Sequence, residues 1–498
     1  MFLGFFVTLT AMFFDLFTTK AVPADQPPVH LFNTETGSKE VFTPLSPGVV
    51  LMYSCGPTVY DYIHVGNLRA YVFADILKRT LIFHGYEVQH TVNLTDFGHL
   101  TDDGDAGEDK IMKGLKREGL PVTLEAMRQL SDQFIAAFYD DCDALNIIAA
   151  TTYARASEYV QAQIRLVETL EGKGYTYETS DGVYFDIEKY PAYGRLGHID
   201  IAALKSGARV EVNSEKHHPA DFAVWKKGEL GWDSRWGKGF PGWHIECSAM
   251  AMVTLGKSID IHTGGIDLGP IHHNAEIAQC ECATGKPFVR FWMHNEFITI
   301  DNSKIGKSLG NAINLRHLVD RGFTGEDYRY WLLTSHYRSP INFSFEALQG
   351  AKQALFRLRR FVYEDYKQKA SVPDAEYLEK FRTHLANDLD TPAAVALMWQ
   401  LTKDEKLSNE VKCATIHVMD SIFDIGLRAK QDDGVKTLGV ISANELPLEI
   451  LELIDSREAA RIARNWPEAD RLRDALLLKG YTIEDSAHGP KVSREEQS

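Results

Sequence analysis

The sequence predicts an α/β protein: a parallel sheet interrupted by a long insertion and followed by a helical remainder. Three observations carry that prediction. An apolar run, V-V-L-M-Y-S-C (49–55), and a second strand-like stretch, Y-E-V-Q-H-T-V-N-L-T (86–95), bracket a stretch of helical period, the pattern of a βαβ unit. Strand-like runs return between Phe240 and Asn311, as I-D-I-H and F-I-T-I separated by glycine turns. Beyond Leu315 nearly every segment has a helical period.

The bulk numbers bound the answer. At 498 residues the chain exceeds what one core serves, so several domains are expected. Its 44% apolar and 24% charged composition is that of an ordinary globular protein and excludes extensive disorder. A net charge of −16 excludes a surface coated in basic residues, though not local patches that meet phosphate. The six cysteines (Cys55, Cys142, Cys247, Cys280, Cys282, Cys413) are too sparse for a disulfide framework and fit a reducing, cytoplasmic compartment. No C-x-x-C occurs, so a metal site must be assembled from distant segments. The apolar N-terminus is too short to span a bilayer, is interrupted by Asp15, and has no basic residue before Lys20. Residues 1–27 therefore read as an extension, with no membrane partner.

The elements follow in order. Val49 to Cys55 is apolar enough for a buried strand. Asn67 can cap a helix in which Val72, Phe73, Ile76, Leu77 and Leu81 recur at three- and four-residue spacing, stopped by Gly85. The next strand covers 86–95, and a sheet of this kind binds ligands at the carboxyl ends of its strands. The loop D-F-G-H-L-T-D-D-G-D-A-G-E-D-K is acidic but lacks calcium-loop spacing, and reads as solvated. Residues 111–225 mix helices and short strands without sustained alternation, as an insertion would, and 226–315 resume the sheet. S-V-P-D near 371 and the polar stretch 428–447 divide the remainder into 316–370, 376–427 and 448–498.

Two motifs could carry chemistry. His64-Val65-Gly66-Asn67 places an imidazole and an amide donor at a helix N-terminus, where backbone N–H groups and the dipole favour an anion. Gly66 would let a ligand approach the backbone closely. Alone, this four-residue match is more readily a capping turn. Lys304-Ile305-Gly306-Lys307-Ser308 puts two lysines on a glycine-containing loop, able to meet phosphates as mobile point charges. Alone, it is a solvated turn.

Together, and in this order, they resemble the signatures H-I-G-H and K-M-S-K-S of the class I aminoacyl-tRNA synthetases. The text between them narrows the resemblance to the cysteinyl-tRNA synthetase family. It consists of Cys55-Gly56-Pro57-Thr58-Val59-Tyr60-Asp61, G-W-H-I-E-C-S-A-M (242–250) and D-I-H-T-G-G-I-D-L (260–268). The resemblance runs from about Leu31 to Val492 and includes the tail R-E-A-A-R-I-A-R-N-W-P-E-A-D-R-L-R-D.

The resemblance implies a Rossmann-like catalytic domain built from 28–110 and 226–315, a stem-contact helical region, a helical bundle and a C-terminal anticodon-binding region. It implies a monomer that activates L-cysteine with ATP and Mg²⁺ and transfers it to tRNA(Cys). His64, Asn67, Lys304 and Lys307 would be catalytic, and with Gly66 and Ser308 would bind ATP. Gly56, Thr58, Trp243, His262 and Asp267 would line the cysteine pocket, although Trp243 reads equally as core and His262 as a satisfied buried histidine.

His272 and Glu276, four apart, share a helix face, and with Cys55 and Cys247 would make a Cys₂-His-Glu site suited to one zinc ion per chain. Without the resemblance, these cysteines read more readily as small buried hydrophobes. With it, zinc takes the substrate thiolate, which a serine hydroxyl matches poorly, so no editing domain is required. Arg457, Arg461 and Arg464, at i, i+4 and i+7, would form a basic tRNA-binding stripe, or else a solvated face paired with Asp455 and Glu458. Three departures from the family pattern stand out: Asn67 for His, Ile305-Gly306 for Met-Ser, and a longer acidic loop after Asp96.

Overall fold

The structure, a computed structural model, describes residues 27–97, 110–197, 214–300, 303–304, 312–364, 371–429, 434, 438, 441, 446–486 and 489–494. The N-terminal extension to residue 26, the acidic loop 98–109, and Ile305, Gly306, Lys307 and Ser308 lie outside the described residues. The chain divides into two compact units, Met1–Ala351 with Glu379–Leu397, and Lys352–Leu378 with Met398–Ser498.

In the first unit a hairpin of β1 (His30–Asn33) and β2 (Ser38–Val41) precedes β3 (Val49–Ser54). The helix Val65–Phe83 leads to β4 (Glu87–Leu94), and β5 (Thr152–Arg155) follows two further helices. An antiparallel sheet comprises β6 (Thr176–Glu178), β7 (Gly182–Phe185), β8 (Phe222–Trp232) and β9 (Gly239–Pro241). Then come β10 (Ile259–Gly265), β11 (Val289–Asn295), β12 (Ile298–Ile300), β13 (Ser303–Lys304) and β14 (Ile341–Phe343).

The central sheet is parallel throughout, in the order β11–β10–β3–β4–β5. Both of its faces are covered, as is usual for a parallel sheet. Val50 and Met52 of β3 pack with Phe73, Ala74, Leu77 and Leu81 of the helix Val65–Phe83. Leu51 and Tyr53, alternate along the strand, pack instead with Ile245, Met250 and Ala278. The helix Val65–Phe83 ends where Gly85 takes φ 87°, a conformation that a Cβ disfavours.

Two boundaries differ from expectation. β5 joins the parallel sheet although it lies inside the span 111–225, and the expected break at 225 falls within β8. Strands as short as T-Y-A-R carry too little periodicity to be read from sequence. The second unit is likewise not wholly helical. The helices Leu448–Ile462 and Trp466–Leu478 are followed by an antiparallel hairpin, β15 (Tyr481–Ser486) and β16 (Gly489–Arg494), over a small core including Ile450, Ile454, Leu476, Ile483 and Val492.

A buried charge cluster holds the helix Val65–Phe83 in place. The Asp75 carboxylate receives Arg79 Nε at 2.8 Å, the Ile148 N–H at 2.8 Å, and the Arg329 guanidinium. Burial pushes the Asp75 carboxyl up, but the two guanidinium groups outweigh it and hold it below its ordinary value. Its contribution to stability is therefore present above the unfolded carboxylate pKa of about 4 and lost as pH falls through the folded value. Asp75→Ala leaves buried guanidinium groups uncompensated and should cost about 3–5 kcal/mol, read as a lower urea midpoint at pH 7.

Candidate active site

The site forms where β3 and β10 end. Leaving β3, Cys55 donates its N–H to the Thr263 carbonyl at 3.0 Å, and Gly56 donates to Asn93 Oδ1 at 2.7 Å. A Cβ on Gly56 would sit 1.7 Å from the Asn93 carbonyl oxygen, so only glycine allows this approach.

The helix then starts earlier than expected. His64, not Asn67, is its N-cap, and His64 Nδ1 accepts the Asn67 N–H at 3.2 Å. A ring nitrogen thus does the work of a capping oxygen. His64, Gly66 and Asn67 line a cleft of about 970 Å³ together with Cys55, Gly56 and Thr58. Trp243, Asp267 and His272 line the same cleft. Lys304 lies on β13, paired through Thr299 with β12, whose Ile298 also borders the cleft.

At the cleft floor the ligating atoms of Cys55, Cys247, His272 and Glu276 all lie within 4.8 Å of one another. Three segments supply the last three groups: the helix Trp243–Thr254, the turn Gly269–His273 and the helix Asn274–Thr284. A second group, Cys55, His262, His273 and Glu276, meets the same limit and shares two members.

The two groups differ at Glu276. In the second, His262 Nε2 already occupies Glu276 Oε2 at 3.1 Å, while His273 bonds His294 through Nδ1 at 2.7 Å and lies 3.4 Å from Cys55 Sγ through Nε2. Glu276 Oε1, by contrast, is buried without a hydrogen bond, although His272 Nε2 is 3.1 Å away. A ring nitrogen and a carboxylate oxygen converging in this way suit two ligands of one ion once the imidazole has lost its proton. His244 Nδ1 meets His272 Nδ1 at 2.9 Å, orienting the ring as a metal-bound imidazole is usually oriented. Two sulfurs, one nitrogen and one oxygen fit zinc.

Burial and mutual contact shift the groups of this cluster strongly. For Cys247, the hydrogen bond with Cys55 and then burial push the thiol well up. For Cys55, the bond to Cys247 pulls down, but burial and Glu276 leave it raised. Burial opposes charge on His272, yet Cys247 and Glu276 raise it. Burial likewise pushes Glu276 up, and His262 and His272 more than reverse this. His244 and His273 are held well down, mainly by burial. The metal-free cluster therefore keeps protons on both sulfurs and on His272, which a metal would have to displace.

One expected pocket residue lies deeper than expected. His262 is fully buried, bonds Glu276 Oε2 at 3.1 Å and stacks on Trp292 with ring centroids 4.6 Å apart. Trp243 is not plain core: it borders the cleft and packs on His272 at 4.5 Å. Sequence reasoning missed His244, and also Lys110 and Lys113, which line the cleft after the acidic loop. The run of histidines in G-W-H-I-E-C and I-H-H-N was the signal for the first.

The arginine stripe is also corrected. Arg457 is 4% exposed and bonded to Asp485 at 2.9 Å and Glu458 at 2.8 Å, and Arg461 shares Asp485. Arg464 lies beyond the helix end at φ 58°, so the three do not share a helix face. Beside it, Trp466 is 55% exposed at the start of the next helix.

Comparison with known proteins agrees with these features. Residues 41–353 match the family described as tRNA synthetases class I (C) catalytic domain. The cysteine–tRNA ligase of Treponema denticola is 40% identical over 92% of this chain and 98% of that protein. The cysteine–tRNA ligase 1 of Burkholderia lata is 40% identical over 93% of this chain and 97% of its own. Among solved structures, Mycobacterium tuberculosis methionyl-tRNA synthetase with methionyl-adenylate shares the fold at TM-score 0.54 and 15% identity, covering 80% of this chain and 94% of that one.

The tight passage at Gly56 generates a prediction. Gly56→Ala must push β3 and β4 apart at the cleft and should cost about 1–3 kcal/mol, seen as a melting temperature lower by several degrees.

Proposed function

The chain belongs to the class I aminoacyl-tRNA synthetases, in the cysteine–tRNA ligase family, and from that premise we propose how its residues carry the reaction. The enzyme activates L-cysteine with ATP and transfers it to tRNA(Cys). The cysteine carboxylate attacks the α-phosphorus, pyrophosphate leaves, and the terminal ribose hydroxyl of the tRNA then takes the cysteinyl group.

His64 and Asn67 donate hydrogen bonds to phosphate oxygens from a helix N-terminus that already favours anions. Lys304 and Lys307 add positive charge as it is needed in the transition state; Gly66 and Ser308 complete the ATP contacts, and Mg²⁺ accompanies ATP. Gly56, Thr58, Trp243 and Asp267 orient the amino acid, with Asp267 facing its ammonium group. His262 acts behind them by holding Glu276.

Cys55, Cys247, His272 and Glu276 would hold one zinc ion, and His244 would orient His272. When bound, zinc supplies a soft seat that prefers a thiolate to a hydroxyl, which separates cysteine from serine. The observation that carries this reading is the Cys₂-His-Glu floor within the same cleft as His64 and Asn67.

In the second unit Arg461, Arg464 and the exposed Trp466 meet tRNA, the indole offering a stacking surface for an unpaired base. Arg457 braces β15 from within. Among the described residues no helix is long and apolar enough to cross a membrane. The reading places the enzyme in the cytoplasm as a monomer.

ATP–pyrophosphate exchange with cysteine and with serine tests the core of the reading. Wild-type protein should carry about one zinc per chain and exchange with cysteine only, whereas Cys247→Ser should lose most of the metal and the cysteine preference. In cobalt-substituted protein, cysteine but not serine should produce a sulfur-to-metal charge-transfer band; an unchanged spectrum means the thiolate does not bind there. Because both sulfurs and His272 are protonated without metal, zinc affinity should fall as pH is lowered from 8 to 6, with calorimetry reading proton release. For the second unit, Trp466→Ala should raise the KM for tRNA about tenfold or more, from the usual worth of one stacked base, and leave pyrophosphate exchange intact. Unchanged tRNA kinetics would remove the indole from the interface.

A further inference from the structure

Arg69 lies two residues past Asn67 on the helix Val65–Phe83 and is 4% exposed. Its guanidinium donates to four backbone carbonyls. Nη1 reaches Glu296 at 2.9 Å and Phe297 at 2.8 Å; Nη2 reaches His336 at 3.0 Å and Ser339 at 2.7 Å. Among the described residues no carboxylate pairs with it, and burial lowers its pKa to about 10, which leaves it charged at neutral pH. A charge buried this way is costly, and it is kept here by four carbonyls that an apolar side chain would leave without a donor. The planar fork is therefore used for its geometry.

The four carbonyls belong to two particular segments. Glu296 and Phe297 join β11 to β12, and Ser339 precedes β14. β12 lies between β13 and β14, pairing Thr299 with Lys304 and Ile298 with Ile341. Arg69 thus grips the two stretches of backbone that lead into the small sheet bearing Lys304. A second tie lies at the start of the same helix. Val65 donates its N–H to the Ile313 carbonyl at 2.7 Å, and Tyr328 Oη donates to the Val65 carbonyl at 2.7 Å. Lys304 on one side and Ile313 on the other are both referred to the first turns of the helix that presents His64 and Asn67.

We propose that Arg69 is a positioning residue for adenylate formation, setting the strand of Lys304 against the His64–Asn67 turn through four carbonyl hydrogen bonds. The proposal rests on the reading of Lys304 as a phosphate-binding cation. Groups that stabilise a transition state tolerate little displacement, and an error of about 1 Å can cost a hundredfold in rate. Lysine in place of Arg69 keeps the charge but cannot span two pairs of carbonyls.

The test is a double-mutant cycle in full-length protein, read by cysteine-dependent ATP–pyrophosphate exchange. Arg69→Lys should lower kcat about tenfold and Arg69→Met about a hundredfold, with the KM for cysteine and the zinc content unchanged. In a Lys304→Ala background the same Arg69→Lys change should cost less than about threefold, because the group it positions is gone. Equal fold losses in both backgrounds, or losses that follow melting temperature or zinc content, overturn the proposal and make Arg69 an ordinary packing residue. Should Arg69→Met fail to fold, the Arg69→Lys cycle decides alone. A Lys304→Ala enzyme with undiminished exchange would instead overturn the reading of Lys304 itself.

Discussion

Glu276 is an ionised carboxylate with no exposed surface, and such a group persists only if every neighbour is arranged to compensate it. His262 takes one oxygen, His272 faces the other, and each imidazole then needs support of its own. His244 meets His272, Trp292 stacks on His262, and His294 holds His273 while bonding to Thr34. These residues come from β10, β11 and the helices beside them, so one buried carboxylate fixes how several segments approach at the sheet's carboxyl edge. An ion bound there would complete a balance that the protein has already largely built.

The same arrangement separates recognition from stability. Both faces of the parallel sheet are covered by extensive apolar clusters, so the fold has its core without help from a metal. The cluster at the floor is then free to be tuned for selectivity. The opposite wall, with His64 and Asn67, does different work from the same helix that Asp75 and Arg69 tie down. Anchoring by buried guanidinium groups recurs along that one helix, which would give the proposed phosphate contacts a rigid reference.

Much of this was legible in the residues, for physical reasons. β3 is largely buried and its apolar run announced that, whereas β4 is also largely buried although Gln89, His90, Thr91 and Asn93 interrupt its apolar residues. The four-residue spacing of His272 and Glu276 survived into the structure even though the turn before the helix is a π-type one, because side chains four apart still stack. What could not be read was short or relational. β5 is brief and pairs with a strand distant in sequence, and the hairpin β15–β16 is held by packing on the helices before it, so local periodicity says little about either. His262 was placed in the right neighbourhood, but its bond to Glu276 was not named, since a motif gives proximity and not the partner. The helix start moved from Asn67 to His64 because an imidazole can cap when its ring is held at the right angle, which composition does not reveal.

Arginine is where sequence reading is weakest, and the reason is general. Arg457 and Arg69 look like any other basic residue in the chain, yet both are buried and spend their donors on the protein itself, one on Asp485 and one on four carbonyls. A guanidinium whose donors are spent inside cannot also present them to phosphate. With a net charge of −16, the protein has little general attraction for a polyanion, so tRNA recognition must come from a few local features. The corrected stripe therefore changes the kind of interface expected: an exposed indole beside one or two arginines relies on stacking and shape more than on summed charge. Such an interface discriminates by what it contacts, which suits an enzyme that must select one tRNA from many similarly charged ones.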